Sequence, residues 1–176
     1  CDLYVSIHVR DNLKRILFHI CCIVALHEDV ESDTYSHLVD MDVVKKVMDI
    51  NFYGVLYATK FCLPEIIRNK GSVIGISSIA GYRGLPARTG YSASKFALNG
   101  FLEVLRTEML NREVHVMTAC PGFTTSNIRK RSLTKDGTTQ GDSPRDENKM
   151  MTAEECAAAD LAALEDRASS DPGPKV

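Results

Sequence analysis

The sequence predicts an α/β fold in which a parallel sheet is flanked by helices. Two short runs of β-branched and apolar residues, Ser72 to Ser77 and Val114 to Cys120, have the length and composition of buried strands. Three longer segments read as helices: Asp42 to about Asn69, Tyr91 to about Asn111, and Ala153 to about Leu164. Helix and strand therefore alternate along the chain, as strand–helix–strand units require.

The first 26 residues carry no clean periodicity. Within them Ile16 to Leu26 is almost continuously apolar, preceded by Arg10, Lys14 and Arg15. Eleven residues are short of the roughly 20 that a helix needs to cross a bilayer. No small-x-small cleavage site follows, as a leader peptide would need. A buried strand or short helix is expected there, and the polar, acidic residues 27 to 40 read as a loop. From Asp42 the residues Val44, Val47, Met48, Phe52, Val55, Leu56, Phe61 and Ile66 form a helical stripe. Asp42 is the expected N-cap, Pro64 should kink the helix or restart its last turn, and Lys70-Gly71 should end it.

After the strand at 72–77, Ile79 to Gly90 holds three glycines and a proline and reads as a loop. From Tyr91, the residues Phe96, Leu98, Phe101, Leu102, Leu105 and Met109 make one broad apolar face. Pro121-Gly122 breaks the strand at 114–120. Residues 123 to 150 are polar, and a loop of that length inside a domain is functional or disordered. Thr152 and Glu155 form a capping box at the start of the last helix. Ser169 to Val176 reads as a disordered tail. The whole is one incomplete Rossmann-like domain, a partial doubly wound sheet. Residues 1–40 are its least legible segment, 41–165 its body and 166–176 its tail.

A chain of 176 residues with 44% apolar and 25% charged residues is an ordinary globular domain. Its net charge of −2 gives no reason to expect a nucleic acid partner. Arg129-Lys130-Arg131 is read as a solvated loop. The six cysteines show no C-x-x-C pairing and the five histidines lie scattered, so no metal is expected. Reduced thiols imply a cytoplasmic protein, with Cys62 and Cys120 packed as small hydrophobes on a helix and a strand. No internal repeat is visible.

The chemistry concentrates in Gly90-Tyr91-Ser92-Ala93-Ser94-Lys95. On a helix, Tyr91 and Lys95 project from one face a turn apart. A phenol, with a pKa of about 10, is a poor acid or base at neutral pH. A neighbouring ammonium favours the phenolate and brings it into range. Ser78, 13 residues before Tyr91, could hold the oxygen of a carbonyl or alcohol from a strand end. Ser77 competes with Ser78 locally. Asn51 is a poor helix former set in mid-helix.

These residues resemble the short-chain dehydrogenase/reductase family. The similar text is Gly71-Ser72-Val73-Ile74-Gly75-Ile76-Ser77-Ser78-Ile79-Ala80-Gly81, then Tyr91-x-x-x-Lys95, then Cys120-Pro121-Gly122, with Asn51 in Met48-Asp49-Ile50-Asn51-Phe52-Tyr53-Gly54. Asn, Ser, Tyr and Lys fall in the family's order with spacings of 27, 13 and 4. The likeness covers roughly residues 41 to 160. It implies an NAD(P)-dependent oxidoreductase that interconverts a carbonyl and an alcohol, with Asn51, Ser78, Tyr91 and Lys95 catalytic. The thirteen-residue spacing selects Ser78 over Ser77. Asn51, Tyr91, Lys95, Pro121, Gly122, Thr124 and Ser126 then border NAD or NADP at its nicotinamide end. The 123–150 loop resembles the family's substrate lid, with Leu85, Pro86, Arg88 and Phe123 at the mouth. Helices 42–69 and 91–111 resemble those the family packs into a homodimer.

The sequence departs from the family before residue 41. The glycine-rich turn that would hold the dinucleotide pyrophosphate has no counterpart, since the first glycine is Gly54. The family's Asn-Asn-Ala-Gly segment is also missing. The expectation is a truncated member without the N-terminal glycine-rich βαβ half; a third reading places the ends, 1–40 and 165–176, out of the native reading frame. The alternative reading is an inactive fragment that acts only through its helical dimerisation surface.

Overall fold

The computed structural model describes residues 4–8, 21–25, 37–125, 132–139, 141 and 149–165. Its elements run β1 (Tyr4–His8), β2 (Cys21–Ala25), α1 (Met41–Met48), a π-helical turn (Asp49–Gly54), α2 (Val55–Arg68), β3 (Ser72–Ile76), α3 (Thr89–Met109), β4 (His115–Ala119) and α4 (Ala153–Glu165). The sheet order is β1-β2-β3-β4. Strands β2, β3 and β4 are parallel, with Ile23 opposite Ile74 and Ile74 opposite Met117. The expected α/β fold is therefore present, and the apolar run before Leu26 supplies the strand β2. The outermost strand β1 lies antiparallel on β2, which the sequence did not announce.

The main core lies between β3, β4 and the helices α2 and α3. Val55 and Ile66 of α2, Val73 of β3, Leu98, Leu102, Leu105 and Met109 of α3, and Val116 of β4 close it. Alternate residues of the strands, Ile74, Ile76 and Ala119, pack as a second cluster with Met117. All five residues of β3 are buried, so both of its faces are covered. Gly75 sets how close α3 comes: a Cβ there would lie 2.3 Å from Leu102 Cδ1. A larger residue would force the Leu102 side chain to move within the packing between α3 and the strand whose end carries Ser77 and Ser78.

Helix ends differ from expectation by short steps. Asp40, not Asp42, is the N-cap of α1; its carboxylate accepts from the Asp42 N–H at 2.9 Å. Asp42 sits inside the first turn and pairs with Lys45 instead. The α2 helix is continuous through Pro64. It ends in a double turn, Gly71 N–H to Ile66 O at 2.9 Å and Lys70 N–H to Ile67 O at 3.2 Å. The left-handed residue of that turn is Lys70 (φ 50°), not Gly71. The Lys70 side chain is ion-paired with Glu113, itself left-handed at the end of the α3 segment. The capping box of α4 forms as expected: Glu155 N–H donates to Thr152 Oγ1 at 3.1 Å, and Thr152 N–H to Glu155 Oε2 at 2.8 Å.

The segment 123–150 is not structureless where it is described. Thr124 bridges Met151, closing the base of the loop, and Leu133 bridges Thr139. Leu133 is buried with Val43 and Val47 of α1, which anchors this turn on the helix. Within it, hydrogen bonds from Thr134 and Thr138 push the Asp136 carboxyl down to about 2. Among the described residues no helix is long and apolar enough to cross a membrane. Among them, too, no group of three His, Cys, Asp or Glu side chains could hold a metal ion. The expected tail 166–176 lies outside the described residues.

The Gly75 contact gives a testable prediction. Gly75→Ala should destabilise the chain by about 1–3 kcal/mol through overpacking on Leu102. In a Leu102→Ala background, which removes the opposing methyls, that cost should largely vanish. Urea denaturation of the four variants measures the coupling.

Candidate active site

Three elements meet at the carboxyl ends of β3 and β4, the edge where ligands sit in open α/β sheets. The first is the N-terminal part of α3. It begins at Thr89, so Tyr91 and Lys95 lie in its first two turns. Tyr91 is buried, and Lys95 is only 1% exposed, the bulkiest side chain buried to that degree among the described residues. The Lys95 Nζ lies 5.5 Å from the Tyr91 ring centroid and donates to Ile76 O at 3.1 Å. A buried ammonium is costly unless it is satisfied. Here the last carbonyl of β3 and the face of a phenol ring receive it.

The second element is the turn after β3. Ser77 N–H donates to Ala119 O at 2.7 Å, extending the β3–β4 pairing by one bond. Ser78 then leaves the sheet in extended conformation and caps the short 3₁₀ turn Ile79–Gly81. Its hydroxyl oxygen accepts from Ala80 N–H at 3.2 Å. Ser78 thus stands two residues beyond the carbonyl that holds Lys95, at the same strand end. Ala87, just before α3, is left-handed at φ 60°.

The third element is the π-helical turn between α1 and α2. Asn51 lies within it and is fully buried. Single π turns recur inside α-helices at functional sites. The Asn51 side-chain amide donates to Ser94 Oγ at 3.1 Å, and the Ser94 hydroxyl donates to Tyr91 O at 2.7 Å. Asn51 is therefore linked to the Tyr91 turn through a residue that the sequence reading passed over. A buried serine three residues after Tyr91 was the available signal, but its partner lies 43 residues away.

Beyond β4, Pro121, Gly122 and Thr124 follow directly, with Thr124 Oγ1 donating to Gly122 O at 3.1 Å. Ser126 lies outside the described residues. Cys120 is exposed one residue past β4, rather than packed inside it as expected. Partial burial of its sulfur pushes the thiol up, while the neighbouring Ser77 and Tyr82 hydroxyls and the Lys95 cation act the other way. It is a neutral thiol at the site's edge. Leu85 and Phe123 are exposed apolar residues at the rim.

The structure thus brings Tyr91 and Lys95 into contact, joins Asn51 to them through Ser94, and sets Ser78 at the strand end that Lys95 grips. A hydroxyl, a phenol and an ammonium at one sheet edge are a donor set for holding an oxygen and moving a proton. They also suit the hydroxyls of a ribose, so the nicotinamide end of a dinucleotide fits the residues present.

Comparison with known proteins gives the family and the fold. The sequence profile of the family described as short chain dehydrogenase matches residues 26–137. That match starts upstream of residue 41 and stops short of 160. The chain is similar to dehydrogenase/reductase SDR family member 7B of Rattus norvegicus, 38% identical over 102 residues, covering 57% of this chain and 31% of that protein. It is 35% identical over 128 residues to the protein of that name from Xenopus tropicalis, covering 72% of this chain and 41% of that protein. The chain therefore spans between about a third and two fifths of the length of these relatives. In fold it is similar to a short chain dehydrogenase from Burkholderia cenocepacia in complex with NADP (TM-score 0.66, 24% identity, 82% of this chain and 56% of that one). It is also similar to 4-hydroxyisoleucine dehydrogenase complexed with NADH and succinate (TM-score 0.64, 20% identity, 84% of this chain and 61% of that one).

The Asn51–Ser94 link generates a prediction. Ser94→Ala removes the acceptor of a buried amide and should cost about 1–3 kcal/mol of stability. Urea denaturation measures it, with Ser92→Ala, on the same helix turn, as the comparison.

Proposed function

This chain belongs to the short chain dehydrogenase family, and from that premise we propose that it supplies the reacting half of an NAD(P)-dependent oxidoreductase that interconverts a carbonyl and an alcohol. The observation that carries the reading is the buried Lys95 amine against the Tyr91 ring, at the strand end that leads into Ser78. A folding core has no use for a lysine there, since an apolar residue of similar volume would avoid the desolvation cost.

The nicotinamide, when bound, supplies or accepts the hydride. In the reductive direction the Ser78 hydroxyl donates to the substrate oxygen as negative charge develops on it. Tyr91 gives that oxygen its proton and becomes a phenolate. Lys95 stabilises the phenolate and thereby brings Tyr91 toward neutral pH. Asn51, held through Ser94, serves the path by which Tyr91 is reprotonated. Lys95 and Tyr91 would hold the nicotinamide ribose, with Pro121, Gly122, Thr124 and Ser126 along the ring and its carboxamide. Either NAD or NADP suits this reading, as relatives in fold are known with each. No glycine precedes Gly54, so the pyrophosphate contacts expected of a glycine-rich turn are not provided by this sequence.

A second reading has its own support. Tyr53, Tyr57 and Phe61 recur every fourth residue on one helix face, Tyr53 and Tyr57 are stacked, and Phe61 is 84% exposed. An aromatic row of this kind favours a homodimer built on helices 42–69 and 91–111, which could act by association alone. Sedimentation should find the chain dimeric and Phe61→Glu monomeric. A monomeric parent chain would remove this reading.

The catalytic reading is tested by turnover with a glycine-rich dinucleotide-binding half supplied in the same polypeptide. Tyr91→Phe should fold normally and lose roughly 10²–10⁴-fold in carbonyl reduction. Lys95→Met should move the apparent pKa of alcohol oxidation upward, because the charge that favours the phenolate is gone. Near-normal turnover in Tyr91→Phe would contradict the assignment.

A further inference from the structure

The helix face that carries Tyr91 and Lys95 continues one turn further to Asn99. Asparagine is a weak helix former, and in a helix interior its side chain tends to compete with the backbone. Here that side chain is turned away from its own helix. Its oxygen Oδ1 accepts from the Ser77 hydroxyl at 2.5 Å, and its nitrogen Nδ2 donates to Gly81 O at 3.0 Å. One side chain thus grips the residue before Ser78 and the residue that closes the Ser78 turn.

The fit is tight. A Cβ on Gly81 would lie 2.8 Å from Asn99 Nδ2, 2.9 Å from Ser77 Oγ and 3.0 Å from the Lys95 carbonyl oxygen. The turn therefore lies directly on the α3 backbone at Lys95, with no room for a side chain between them. Ser78 is further fixed from inside the turn, since its hydroxyl oxygen accepts from Ala80 N–H and its carbonyl accepts from Gly81 N–H at 2.9 Å.

We propose that Asn99 is a positioning residue for Ser78: it locks the strand end and the 3₁₀ turn onto α3, and so fixes where the Ser78 hydroxyl stands relative to Tyr91. The proposal rests on the catalytic reading above. A substrate oxygen must reach the Ser78 and Tyr91 hydroxyls together, and those two groups belong to different elements. Hydrogen-bond geometry tolerates little drift, and a misplacement of about 1 Å can cost about 10²-fold in rate. The pairing of one acceptor with one donor also explains the residue type. Leucine has a similar size and satisfies neither partner, while aspartate keeps the acceptor and loses the donor.

Two measurements test it. In the chain as it stands, amide hydrogen exchange followed by NMR reads the lock directly. Asn99→Leu should speed exchange at Gly81 and Tyr82, the amides of the turn, by tenfold or more while leaving Leu102 and Leu105 of α3 unchanged. Equal acceleration at all four would mean a general loss of stability and would overturn the proposal, as would no acceleration at any. With the dinucleotide-binding half supplied in the same polypeptide, a kinetic cycle reads the consequence. Asn99→Leu should lower kcat roughly 10–100-fold in the Ser78 protein and less than about threefold in a Ser78→Ala background. The same large loss in both backgrounds would show that Asn99 does not act through Ser78. A Ser78→Ala protein with normal kcat would instead sink the catalytic reading itself, and the proposal with it.

Discussion

The site depends on one unusual fact, a lysine ammonium buried beside the end of a parallel strand. Removing such a charge from water costs several kcal/mol unless nearby dipoles replace the lost hydration. The Ile76 carbonyl and the Tyr91 ring are among the groups that receive it. The arrangement constrains much around it. The strand must end where its last carbonyl can turn to the amine, and α3 must come close enough for Lys95 to reach it. Gly75 permits that approach by leaving its face open to Leu102. The packing of α3 on β3 and the chemistry at the strand end are thus one geometric requirement.

Around that pair the polar side chains form links between elements rather than isolated contacts. Asn51 and Ser94 join the π-helical turn to the first turns of α3. Ser77 and Asn99 join the strand end to the same helix one turn further on. Buried polar groups of this kind are tolerable only when satisfied, and once satisfied they fix geometry more sharply than apolar packing does. A helix that carries Tyr91, Lys95 and the anchors of its neighbours holds the side chains of three elements in register.

What could be read from the sequence follows the range of each interaction. Tyr91 and Lys95 were legible because their relation is local, a spacing of four on a helix. Ser78 was preferred to Ser77 by its spacing of 13 from Tyr91, which resembles the family's. Asn51 was legible as a misfit in a helix and by its spacing of 27 from Ser78; the Ser94 hydroxyl that receives it lies 43 residues away in sequence. Asn99 was passed over for the same reason, its partners lying 22 and 18 residues away. Local competition explains the smaller errors. Asp40 outcompeted Asp42 as a cap because Asp42 had Lys45 as a partner within the first turn. Residues 132–139 read as plain loop because their order comes from one buried leucine on α1. Strand β1 has no periodic signal of its own and is visible only by its pairing with β2.

On the proposed reading, Lys95 makes Tyr91 an acid/base group before any cofactor or substrate arrives. The most direct measurement is a pH titration of the tyrosine Cζ resonances by carbon NMR in the chain itself, with Tyr91→Phe used to assign the Tyr91 signal. The account requires Tyr91 to ionise well below the ordinary tyrosine value of about 10 and below the other tyrosines. A Tyr91 signal that titrates at or above that value would mean that burial outweighs the lysine, and would contradict the account.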